Sequence, residues 1–196
     1  MPVHLAEITV PGGTGTVGYT GPGFLPDAII AWAANNTTDG ASGAGVDGLF
    51  STGFGTYRGG SVQQGYITTF NDDAVGTTVT CKGINTTALL KGLTAPTTST
   101  VGTDYEIDLV SLDATGYTLN WVDLPATMTK IHVLAIGGAN VTDALAFSFT
   151  ADSTATQDVT VTSGFGQPDL LLFLHTGGGA TAGDTATTLH WGMGEV

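Results

Sequence analysis

The chain has 196 residues, 41% hydrophobic and only 11% charged, enough to bury a sizeable core as one large or two small domains. Its formal net charge is −13, and Arg58, Lys82, Lys91 and Lys130 are its only basic residues. That balance repels phosphate backbones and anionic lipid, so nucleic-acid binding is excluded and no membrane insertion is expected. Thr outnumbers even the 30 Gly. Thr favours a pleated, half-buried backbone and Gly marks turns, so many short strands joined by tight loops are expected.

In chain order, Met1–Glu7 has neither a basic n-region nor a long apolar core, so no signal peptide is expected. His4–Val10 reads as a first strand, stopped by Pro11-Gly12-Gly13, and Thr14–Thr20 as a second, closed by Gly21-Pro22-Gly23. Gly13–Gly18 fits G-x-G-x-x-G, but Gly21-Pro22-Gly23 forbids the helix that a dinucleotide site needs, so a β-turn is the reading. Phe24 is expected to face inward, Pro26 to end the turn, and Asp27 to introduce the continuous apolar run Ala28–Ala34, a strand buried on both faces. Asn35–Gly48 is a small-residue loop.

Strands are predicted at Leu49–Phe54, Val62–Phe70, Thr77–Ile84 and Tyr105–Leu112, with turns at Asn71-Asp72-Asp73 and Asp113–Gly116. Tyr117, Leu119 and Trp121 alternate onto one face of the next strand, and Lys130–Ile136 follows as a strongly apolar one. Beyond a boundary near Ala139, strands are expected at Leu145–Thr150, Asp158–Thr162, Leu170–His175 and Thr187–Trp191. No helical periodicity stands out; Ala88–Lys91 makes at most one turn. The fold class is therefore all-β, an antiparallel sandwich or jelly roll.

A segment recurs. Gly23, Phe24, Pro26 and Asp27, leading to Trp32, are echoed by Gly164, Phe165, Pro168 and Asp169 before an apolar run. About two dozen residues further, Leu49–Gly55 is echoed by Leu189–Gly194, which contains Trp191. The expectation is an internal duplication, with residues 1–138 as a first copy and 139–196 as the start of a second. The early stop of that second copy suggests a portion of a longer polypeptide, or strands completed by another subunit. Trp32 and Trp191 are assigned to the core.

Candidate chemistry is sparse. Cys81 is the single cysteine and reads as a small buried hydrophobe. His4, His132, His175 and His190 lack companions at metal-ligand spacing, although His175 and His190 could approach across a sheet. Asp104, Glu106 and Asp108 share one strand face, read as solvated, and Asn71-Asp72-Asp73 lacks a calcium-loop pattern. Serines occur outside any G-x-S-x-G setting. No catalytic, cofactor or metal residue is assigned, and a non-enzyme is expected. Tyr57 and Arg58, read as lying in a Gly-flanked loop, are the candidate contact for a host surface glycan.

Asp113–Trp121 followed by His132–Gly138, together with Gly23-Phe24-x-Pro26-Asp27 ahead of Trp32, resembles a segment common in structural proteins of tailed bacteriophages. The resemblance spans most of residues 1–138 and implies a virion component made in the host cytoplasm: head decoration, spike, tail or fibre. It implies other virion proteins and further copies of the chain as partners, and carries over no enzymatic residues. The alternative is a glycan-binding receptor-recognition module of a fibre or spike.

Overall fold

A computed structural model describes residues 1–34, 48–72, 79–94, 101–149, 158–161, 168, 171–176 and 191–194. These residues contain strands and no helix. The first ten strands are β1 Val3–Thr9, β2 Gly15–Tyr19, β3 Pro26–Ala34, β4 Gly48–Arg58, β5 Ser61–Asp72, β6 Val79–Asn85, β7 Leu90–Thr94, β8 Gly102–Asp113, β9 Gly116–Asp123 and β10 Lys130–Gly137. They form two antiparallel sheets. One has the order β1-β10-β3-β4-β5-β6 and the other β2-β9-β8-β7. β11 Phe173–Thr176 and β12 Trp191–Gly194 form a separate antiparallel pair.

Strand alternation explains the core. From the six-stranded sheet, Ile8, Ile29, Ala31, Ala33, Ile131, Val133 and Ala135 are buried on one face. From the four-stranded sheet, Tyr105, Ile107, Leu109, Tyr117, Leu119 and Trp121 meet them. Small residues on β3 and β4 make room for these large ones, as close packing requires. At Gly53 the chain is packed against the segment leading into β7: a Cβ placed there would lie 1.8 Å from the Leu89 carbonyl oxygen. Thr also supplies buried positions whose hydroxyls are satisfied by carbonyls of neighbouring strands. Thr52 Oγ1 donates to the Ala31 carbonyl at 3.1 Å and Thr68 Oγ1 to the Phe50 carbonyl at 3.3 Å. Cys81 is fully buried beside Phe70, its partner across β5 and β6, as a small hydrophobe would be.

Several expectations need correction. β3 is buried on one face only: Ile29, Ala31 and Ala33 point into the core, while Ala28, Ile30 and Trp32 are half-buried on the opposite face. Trp32 is thus not a core residue; its ring stacks on His132 of the neighbouring β10, centroids 5.6 Å apart. A continuous apolar run arises here because the outer face of this sheet is itself apolar. Ala88–Lys91 makes no helical turn, since Leu90 begins β7 and Leu89 N donates to the Ile107 carbonyl. Asn71 and Asp72 are the last residues of β5 rather than a turn, and Asn71 pairs with Thr80. Residues 145–149 and 158–161 are irregular, so the strands expected at Leu145–Thr150 and Asp158–Thr162 are absent from the described residues. Of the second copy these residues show one short pair, Phe173↔Gly194 to Thr176↔Trp191, in a sheet of its own. Gly164, Phe165 and Asp169, and residues 177–190, on which the rest of the second copy was read, lie outside the described residues.

Candidate functional site

The Gly23-Phe24-x-Pro26-Asp27 element is a corner between the two sheets. Gly23 has φ +70°, and its N–H donates to the carbonyls of Thr115 (2.9 Å) and Thr20 (3.2 Å), tying the corner to the β8–β9 turn. Phe24 is half-buried against the core, and Pro26 is fully buried opposite Gly137. Burial pushes the Asp27 carboxyl above the ordinary aspartate range; a hydrogen bond from the Gly138 backbone opposes this and Asp143 adds to it. Gly164, Phe165 and Asp169 lie outside the described residues. Pro168 is half-buried in irregular chain, and Trp191 opens β12.

Tyr57 and Arg58 do not sit in a loop. They are the last two residues of β4, paired with Val62 and Ser61 of β5. The loop is Gly59-Gly60 alone, both at positive φ (62° and 84°), the conformation a two-residue hairpin turn demands. Arg58 is committed to Asp143: Nη2 lies 2.8 Å from Oδ2, and Nε donates to both carboxylate oxygens at 3.0 Å. This bidentate pair anchors residues 139–149 to the hairpin end. Tyr57 stays 45% exposed.

The acidic face of β8 is half-buried rather than freely solvated. Glu106 pairs with Lys91 of β7, and Asp104 Oδ1 accepts from Ala126 N at 3.2 Å. Asp108 Oδ1 is buried without a hydrogen-bond partner among the described residues. Burial raises its carboxyl above the ordinary aspartate range, Glu106 raises it further, and Gln64 and Lys91 pull it down. A carboxyl raised in the folded state makes the fold bind more protons than the unfolded chain across the interval between the two values. Stability therefore falls as pH rises through that interval. Asp108→Asn is expected to remove this slope and to raise the thermal midpoint at neutral pH, checked by melting both proteins across pH 3–8, a span that brackets the ordinary aspartate value of about 4. An unchanged slope would refute the assignment.

Sequence reasoning missed a cleft. β1 and β2 are outer strands of their respective sheets, and between them the sandwich opens into a cavity of about 380 Å³. His4, Ala6 and Ile8 of β1 line one side, Gly18, Tyr19 and Tyr117 the other, and Gly21-Pro22 one end. The Tyr19 and Tyr117 rings lie 5.6 Å apart, tilted by 32°, and Tyr19 Oη accepts from Trp121 Nε1 at 3.1 Å. Tyr117 Oη and His4 Nδ1 are buried without hydrogen-bond partners among the described residues. Burial raises the Tyr117 hydroxyl well above its ordinary range, with Tyr19 contributing. Glu7, on the rim, pairs with Lys130 at 2.6 Å.

Of the remaining histidines, His132 stacks on Trp32 and His175 is opposite Gly192 in the β11–β12 register, while His190, its expected neighbour across a sheet, lies outside the described residues. Among the described residues no three His, Cys, Asp or Glu side chains come together as a metal site would need. What the described residues define is an antiparallel β-sandwich with a cleft between its outer strands β1 and β2. Comparisons with protein-family models, curated proteins and solved structures find no match.

Proposed function

We propose that this chain is a non-enzymatic structural component of a tailed-phage virion, in the decoration, spike or tail class, that assembles by symmetric contacts with further copies of itself. The observation that carries the reading is the β1 edge. β1 pairs with β10 through seven consecutive residues with no register shift, and nothing pairs its other side among the described residues. Val3 and Leu5 are 52% and 61% exposed along it. Natural edges are blunted by brevity, bulges, lysine or proline. β7 has a register shift at Gly92/Leu93 and Lys91, β2 has five residues, and β6 carries Lys82 with β11 lying against it. β1 has none of these. A second β1, antiparallel across a two-fold axis, would extend the sheet and cover Val3 and Leu5. The phage-like segments and the low charge density support the same reading.

The test is sedimentation of the native chain beside Leu5→Lys, which places a charge on the edge. The native chain is expected as a dimer or higher oligomer and the variant as a monomer with an unchanged circular dichroism spectrum. A native chain that stays monomeric and binds no other virion component would end the proposal. A glycan-recognition module is the second reading, favoured by the unpartnered polar atoms of the β1–β2 cleft rather than by Tyr57 and Arg58.

A further inference from the structure

We infer that the cleft between β1 and β2 is a binding site for a neutral, hydroxyl-rich ligand of the hexopyranose class. It gives the glycan-recognition reading a location, and it stands whether or not the chain assembles through β1.

Three features point to that chemistry. First, Tyr117 and His4 both line the cleft, and each carries a buried polar atom, Tyr117 Oη and His4 Nδ1, without a hydrogen-bond partner among the described residues; Tyr117 as a whole is 1% exposed. A buried polar group left unpaired costs about 1–3 kcal/mol, so two at one opening mark a place where partners come from outside. Each of the two groups can donate or accept, as a sugar hydroxyl can. Second, Tyr19, Ala6 and Pro22 add apolar surface to the lining, Thr9 and Thr20 add hydroxyl-bearing residues, and Gly18 adds backbone without a side chain. Sugar rings present C–H faces to such walls while their hydroxyls point to the rim. A cleft of about 380 Å³ falls in the range of small-ligand sites. Third, the charge selects against anions. The lining contains the Glu7 carboxylate and no Lys or Arg, and the Lys130 ammonium nearby is held by Glu7 at 2.6 Å, in a chain of net charge −13.

A single ring held by a few hydrogen bonds binds in the millimolar range. The test is titration of the full chain with glucose, galactose, mannose and N-acetylglucosamine, with sialic acid as the anionic comparator, followed by NMR of the backbone amides. Saturable shifts with at least one neutral sugar are expected at His4, Gly18, Tyr19 and Gly21. Tyr117→Phe, which removes the hydroxyl and keeps the ring, is expected to weaken binding about tenfold, one hydrogen bond's worth, without lowering the melting temperature. Gly21→Val fills the cleft towards His4, where even a Cβ would lie 3.2 Å from Cε1, and is expected to abolish the shifts. Tyr57→Ala is expected to leave them unchanged. No saturable shift with any neutral sugar overturns the inference. So does binding that Tyr57→Ala removes and Tyr117→Phe leaves intact, an outcome that preserves glycan recognition but moves it to the β4–β5 hairpin.

Discussion

Gly53→Ala is expected to abolish stable folding, a loss above about 3 kcal/mol. The added Cβ would stand 1.8 Å from the Leu89 carbonyl oxygen and 2.6 Å from that of Gly65. Both obstructions are backbone, so no side chain can swing aside. One belongs to the opposite side of the sandwich and the other to the neighbouring strand, so the clash opens the sheets or breaks the β4–β5 ladder. The entropy gained by replacing Gly in the unfolded chain, about 0.4–1 kcal/mol, is too small to compensate. Gly48→Ala at the start of the same strand is the control. A Cβ there meets only Asn71 Cβ at 4.0 Å, and its urea midpoint is expected to match the native one. If Gly53→Ala unfolded at the native midpoint, the two sheets could not be as close as described here.

Trp121→Ala is the second large effect, expected to cost about 3–5 kcal/mol. Trp121 is fully buried at the centre of β9, between Tyr19 on β2 and the core beneath. Its removal leaves an apolar void and also takes away the Nε1–H that Tyr19 Oη accepts. Trp121→Phe separates these contributions, restoring most of the volume but not the donor. Chemical denaturation should rank the three proteins as native, Phe, Ala. An Ala variant within 1 kcal/mol of the native chain, far below the usual range for a buried aromatic, would mean that the core does not centre on this ring.

Much of the sandwich was legible because strands with one buried face write their parity into the sequence. Tyr117, Leu119 and Trp121 are the plainest case: all three are buried, with Thr118 and Asn120 half-buried between them. Ile131, Val133 and Ala135 follow the same rule on β10. Parity failed at β3, where both faces carry apolar residues and only the pairing of Trp32 beside His132 distinguishes outside from inside. It failed again at Tyr57 and Arg58, where glycines on both sides suggested a loop. The Gly59-Gly60 pair was itself the available signal for a tight hairpin, which extends β4 to Arg58.

The candidate site was scarcely legible. His4, Tyr19 and Tyr117 come together only because β1 pairs with β10 and β2 with β9, contacts between positions far apart in the chain. Which strand stands at an edge follows from that long-range order, and no local pattern near Val3–Thr9 encodes it. The motif-bearing corner, Gly23 to Asp27, was legible in sequence for a different reason. Its turn residues are needed where they stand, at positive φ for Gly23 and in the buried bend for Pro26.

Electron cryo-microscopy of the native assembly puts the proposed role to its most direct trial. Each copy should present Val3–Thr9 to the backbone of a neighbouring subunit, continuing the six-stranded sheet across the boundary. Maps in which that strand faces solvent in every copy, or in which the chain belongs to no particle at all, would contradict it.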